Sequence, residues 1–126
     1  MLSDKISSMK FCNLADKSKS SDDDLKSEYK TSHSYGVTVI GDEHLFIKKG
    51  FSVYYIAYSD AERIFRRVRK VNAMMCCDNG ELEIEYLVVM KDGKELIEVQ
   101  LPGSKAAKMM MDELKKAAPL MEWKAP

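Results

Sequence analysis

At 126 residues and 45% hydrophobic content, the chain suits one domain with a modest core. Its 20 basic and 20 acidic side chains cancel to a formal net charge of zero, which argues against a globally basic nucleic-acid binder and leaves local patches to consider. The opening residues Met1 to Ile6 hold no apolar signal core, and no apolar run approaches the length of a membrane span, so a soluble, cytoplasmic protein is expected.

Residues 1–34 are rich in Ser, Lys and Asp, and Lys17 to Asp24 contains no apolar residue. This segment reads as a mobile or loosely docked arm, partly helical, with a short helix over Leu25 to Tyr29 started by Ser21 or Asp22. The folded domain is expected over 35–126. Val37 to Ile40, His44 to Lys49 and Phe51 to Tyr58 read as three strands, broken by Gly41-Asp42 and by Gly50. Ser59 to Val71 is ambiguous. Ala61, Ile64, Phe65, Val68 and Val71 follow helical spacing, whereas the position between strands argues for a strand.

Glu81 to Leu101 reads as a hairpin around Asp92-Gly93, a favoured two-residue loop because both central positions need positive φ. Lys91 then faces Lys94. Unbroken pairing places Val88 opposite Ile97, Tyr86 opposite Val99 and Ile84 opposite Leu101 on one side. After Pro102-Gly103, Ala107, Met110, Met111, Leu114 and Ala118 form one apolar stripe. The spacing predicts a helix over about 104–117, capped by Ser104 and stopped by Pro119, with Trp123 packing back on the domain.

Gly36-Val37-Thr38, His44-Leu45-Phe46-Ile47, Gly50, and Tyr55-Ile56-Ala57-Tyr58-Ser59-Asp60-Ala61 together resemble bacterial pleckstrin-homology-like (PH-like) domains. Ala57 stands where those carry a proline and Ala61 where they carry an isoleucine. The resemblance covers Tyr35 to Ala118. It implies a mainly β fold, an antiparallel PH-like barrel or sandwich of about 6–7 strands with one C-terminal helix, and it implies a strand over Ala61 to Val71.

Three features could carry function. Arg63, Arg66, Arg67, Arg69 and Lys70 place five cations within eight residues and are anion-binding candidates for a lipid head group, a nucleic acid or an acidic peptide. The competing reading is a charged strand face offset by Glu81, Glu83, Glu85, Glu95 and Glu98 on neighbouring strands. Lys48 and Lys49 are weaker loop candidates, in the loop where phosphoinositide-binding PH domains place basic residues. Phe51 to Tyr58 supplies none of the basic residues such a site needs. Met74, Met75 and Trp123 are candidates for an interaction surface.

Cys12, Cys76 and Cys77 have no disulfide or metal-site spacing, and His33 and His44 each stand alone in sequence. No catalytic residue, metal or cofactor is expected. The function expected is therefore that of a non-enzymatic interaction module, contacting a protein partner or itself as a homodimer, with anionic-ligand binding through Arg63 to Lys70 as the alternative.

Overall fold

The computed structural model describes residues 10–20, 23–72, 81–119, 121 and 123. Among these, β1 (Lys10–Asn13), β2 (Lys19–Ser20), α1 (Asp23–Thr31), β3 (His33–Tyr35), β4 (Thr38–Ile40), β5 (His44–Lys49), β6 (Ser52–Ala57), β7 (Arg63–Asn72), β8 (Glu81–Lys91), β9 (Lys94–Gln100) and α2 (Ser104–Ala117) follow in chain order. The fold is mainly β, as expected. The strands form two separate sheets, β2-β1-β6-β5-β4-β3 and β7-β8-β9, which do not close into a barrel.

Strands β3 to β6 form an antiparallel meander. Its two tight turns, Gly36-Val37 and Gly50-Phe51, both hold glycine at positive φ, the conformation that disfavours any residue with a Cβ. Along β5 and β6 the side chains alternate between two apolar faces. Leu45, Ile47 and Ile56 enter the main core, while Phe46, Val53 and Tyr55 enter a second cluster on the opposite face. A sheet apolar on both faces needs a cover on each side.

The N-terminal segment supplies the outer cover. β1 runs parallel to β6, from Lys10 beside Ser52 to Asn13 beside Tyr55, and Phe11 is only 1% exposed. α1 lays Leu25 and Tyr29 on the same face, where Phe11, Tyr29 and Phe46 meet edge to face with ring centroids 5.4–6.2 Å apart. β1, β2 and α1 are thus part of the sheet and its packing rather than an arm laid outside it. The physical reason is that Phe11, Leu14 and Leu25 are apolar enough to be buried even though the polar run between them hides the pattern. The helix expected from Leu25 runs Asp23–Thr31; its expected caps, Ser21 and Asp22, lie outside the described residues.

Ser59 to Val71 resolves as expected from its context. It is a strand from Arg63 onward, paired along its length with β8. The next hairpin turns at Asp92-Gly93, with Lys91 opposite Lys94, and both turn residues have positive φ. Its register departs from the expectation two residues on. Met90 pairs with Glu95 and Val89 with Ile97, so Leu96 is an extra residue and a β-bulge shifts everything behind it by one. Val88 faces Glu98 and Tyr86 faces Gln100, while Leu87 and Val89 enter the main core with Val99 and Ile97.

α2 matches the expected span. Ala107, Met110, Met111, Leu114 and Ala118 are all buried and complete the core between the sheets. The cap differs from expectation: Gly103 takes the N-cap position with no side-chain hydrogen bond, and Ser104 is already the first helical residue. Among the described residues, no helix is long and apolar enough to cross a membrane.

Candidate functional site

β7 carries the cation cluster, and the strand period of two splits it between faces. Arg66 lies on the inner face, where its Nε donates to Glu85 Oε2 at 2.7 Å and its second arm donates to Glu85 Oε1. Glu85 is only 4% exposed, and the Arg66 guanidinium holds its carboxyl below the usual range. On the outer face, Arg67 donates to Glu95 Oε2 at 2.6 Å and to Glu98, and Arg69 donates to Glu98 Oε2 at 2.8 Å. Hydrogen bonds from these arginines lower the pKa values of Glu95 and Glu98. Arg67 also lies 5.4 Å from the Phe65 ring centroid, and Arg69 lies 5.7 Å from that of Tyr86. Arg63 has an interaction of its own, and Lys70 is exposed opposite Glu83 in the register. The arrangement is a cross-strand lattice in which acids occupy most of the basic groups.

The basic end of the first sheet is different. The β5–β6 turn presents Phe51, 92% exposed, directly after Lys48, Lys49 and Gly50. Lys10 begins β1 beside Ser52, and the partly exposed Val37 sits in the adjacent turn with its carbonyl accepting the Lys48 N–H. Lys49 and Lys17 both lie within 6 Å of the Tyr54 ring centroid. No acidic residue occurs between Ile47 and Val53. Phe51 was not singled out from sequence, because a strand reading placed it inside a paired element when it is the tip of a turn.

The opposite end gathers acids around a histidine clasp. Glu28 of α1 reaches the β4–β5 turn, where its Oε2 accepts the N–H groups of Glu43 and His44 at 2.9 and 2.8 Å, and its Oε1 meets His44 Nδ1 at 2.7 Å. The carboxylate lies so close to Gly41 that a Cβ there would stand 2.1 Å from Glu28 Oε2. Tyr58 donates to the Gly41 carbonyl at 2.8 Å, and burial, with the nearby Glu28, Asp42 and Glu113, pushes its phenol strongly up, so it stays a donor. Glu28 lies sixteen residues from His44, which is why the two were not linked from sequence.

Glu28, Glu43 and His44 bring ligand atoms within 4.8 Å of one another. Both Glu28 oxygens, however, already accept hydrogen bonds, so the group is built as a clasp between α1 and the turn. Next to it, a groove of about 400 Å³ is lined by His33, Asp42, Glu113 and Lys116, with Thr31 and Ser32. His33 Nδ1 meets Glu113 Oε1 at 2.7 Å. The two hydroxyls there are turned back onto α1: Thr31 donates to the Ser27 carbonyl at 3.1 Å and Ser32 to that of Glu28. The histidine–carboxylate pair therefore has no hydroxyl nucleophile directed at it from these residues.

On the other side of the α2 C-terminus, a second groove of about 400 Å³ is more apolar, lined by Tyr58, Ala61, Ala117, Ala118, Pro119 and Met121 with Ser59 and Glu62 at its edge. Of the surface candidates, Met74 and Met75 lie outside the described residues. Trp123 is half-buried and packs against the core, beside Arg66, Lys108 and Met111. Comparisons with family models, with curated proteins and with solved structures gave no match.

Proposed function

We propose that this chain is a non-enzymatic interaction module of PH-like build that works by protein contact, copies of itself included, made through the end of the first sheet that carries Phe51. Phe51 carries the reading. A phenyl ring 92% exposed at a turn tip gains nothing in the free chain, and with Val37, 41% exposed in the adjacent turn, it makes an apolar patch rimmed by lysines, which supports a contact site. The order of four meandering strands, three further strands and a terminal helix supports the PH-like part of the reading. The anionic-ligand reading draws less support from Arg66, Arg67 and Arg69, which are occupied by glutamates, than from Lys10, Lys48 and Lys49 around the same tip.

The test replaces Phe51 with a photoreactive phenylalanine analogue and irradiates the full chain in extract of the cells that make it. A protein adduct formed at position 51, and not at the buried position 46, is expected. The absence of any protein adduct would sink the reading.

A further inference from the structure

Charge is segregated along the length of the first sheet. At one end stand Lys10, Lys48 and Lys49 around Phe51 and Val37. At the other, the turns 41–43 and 58–62 hold Asp42, Glu43, Asp60 and Glu62, all exposed, and Asp60 also borders a separate groove with Lys91 and Lys94 of the β8–β9 hairpin. The apolar groove beside Tyr58 and Ala61 opens at this acidic end. The nearest cation of α2, Lys116, lines the neighbouring groove instead.

From these positions we propose that the chain associates head to tail: Phe51 of one copy enters the groove formed by Tyr58, Ala61, Ala117, Ala118, Pro119 and Met121 of a second copy, with Lys48 and Lys49 set against Glu62, which lines the groove, and Asp60 on the same turn. This rests on the reading of Phe51 as the contact point and names its partner. A groove of about 400 Å³ has ample room for one phenyl ring. Phe51 cannot fill the groove of its own chain, because the six residues of β6, about 20 Å of extended strand, separate the two ends. The opposite charges steer the ends together and orient the ring. The contact uses two different patches, so it is heterologous and leaves a free tip and a free groove at the ends of each assembly. One ring and a few ion pairs make a small, transient interface, sensitive to concentration and salt.

The experiment is sedimentation equilibrium of the full chain, with circular dichroism to confirm folding, which these exposed positions should not affect. The wild type is expected to gain mass with concentration and lose it as salt rises. Phe51→Ser, the tip reversal K48E/K49E and the rim reversal D60K/E62K should each weaken association on the order of tenfold or more, the first because the inserted ring is lost and the other two because like charges then face each other. Mixing K48E/K49E with D60K/E62K should restore association, because every tip then has a groove of opposite charge. Phe51→Ser should not be rescued by K48E/K49E, whereas D60K/E62K, whose tip is intact, should pair with the unaltered groove of Phe51→Ser in a one-to-one complex that grows no further. Wild-type association by D60K/E62K alone, or no restoration on mixing, would overturn the head-to-tail contact. A monomeric wild type would overturn it as well. In both cases an adduct from position 51 to a different protein would leave the broader reading standing.

Discussion

On the outer face of the first sheet, Phe11, Phe46, Val53 and Tyr55 are sealed by α1 through Leu25 and Tyr29. On the outer face of the second sheet, only Phe65, Val88 and Met90 form an apolar cluster, and no helix lies over it among the described elements. Its neighbours are charged. Arg67 stacks near Phe65, and Glu95 and Glu98 hold the guanidinium in place. The difference is one of scale. A broad aromatic face requires a whole helix to exclude water, whereas a cluster of three can be covered by the stems of long side chains whose heads remain wet. It follows that the first sheet depends on volume and the second, in part, on charge.

The largest expected effect tests the volume side. Phe46→Ala should cost about 3–5 kcal/mol, because the ring is 0% exposed and touches both other members of the aromatic trio. Val88→Ala, also at a 0% exposed position, should cost only ~2 kcal/mol, since two methyl groups are lost beneath a shallower cover. Urea denaturation measures both. Equal losses would mean that α1 does not seal the first sheet more tightly than the arginines roof the second.

The charge side is tested by acid. Glu85, Glu95 and Glu98 are all held below the usual carboxylate range, first of all by hydrogen bonds from Arg66, Arg67 and Arg69. A depressed folded-state pKa contributes stability that is present above the unfolded value, ~4.3 for Glu, and is lost as pH falls through the folded value. Amide exchange in β7 to β9 should therefore accelerate below about pH 4 before that in β5 and β6. Glu85→Gln should destabilise the chain by about 1–3 kcal/mol at pH 7 and flatten much of the acid dependence, since it leaves the Arg66 fork without its carboxylate. An unchanged acid profile in that variant would remove Glu85 from the explanation.

These two modes of closure also decide what could be read in advance. In β7 to β9 the signals are local. The turn at Asp92-Gly93 and the facing charges are visible in a short stretch; the bulge at Leu96 escapes, because a single extra residue changes the register without changing the composition, and β7, whose own spacing is helical, is legible only from its place between strands. In the first sheet the decisive contacts are distant. Phe11 meets Phe46, and Glu28 clasps His44, across polar stretches with no periodicity. The basic tip was legible through Lys48 and Lys49 as weaker loop candidates, but Phe51 was not, since nothing local distinguishes a strand phenylalanine from one at the turn. The apolar groove was not legible at all. It needs Tyr58 and Ala61 beside Ala117 and Met121, about sixty residues later in the chain.

The smallest expected effect bears most directly on the arginine strand. Glu98 serves both Arg67 and Arg69, yet Glu98→Gln should cost only about 0.5 kcal/mol, because the pairs are half exposed, Arg67 keeps Glu95, and Arg69 keeps the face of Tyr86. Its second readout is more telling. If carboxylates are what silence the cations of β7, removing one should raise affinity for a polyanion such as heparin at low salt, where screening is weakest. The rise should vanish when Arg69 is also changed to Gln. Unaltered polyanion binding by Glu98→Gln would instead mean that the lattice is purely a roof for Phe65, Val88 and Met90, and that any anionic partner is met at the Lys48 and Lys49 end.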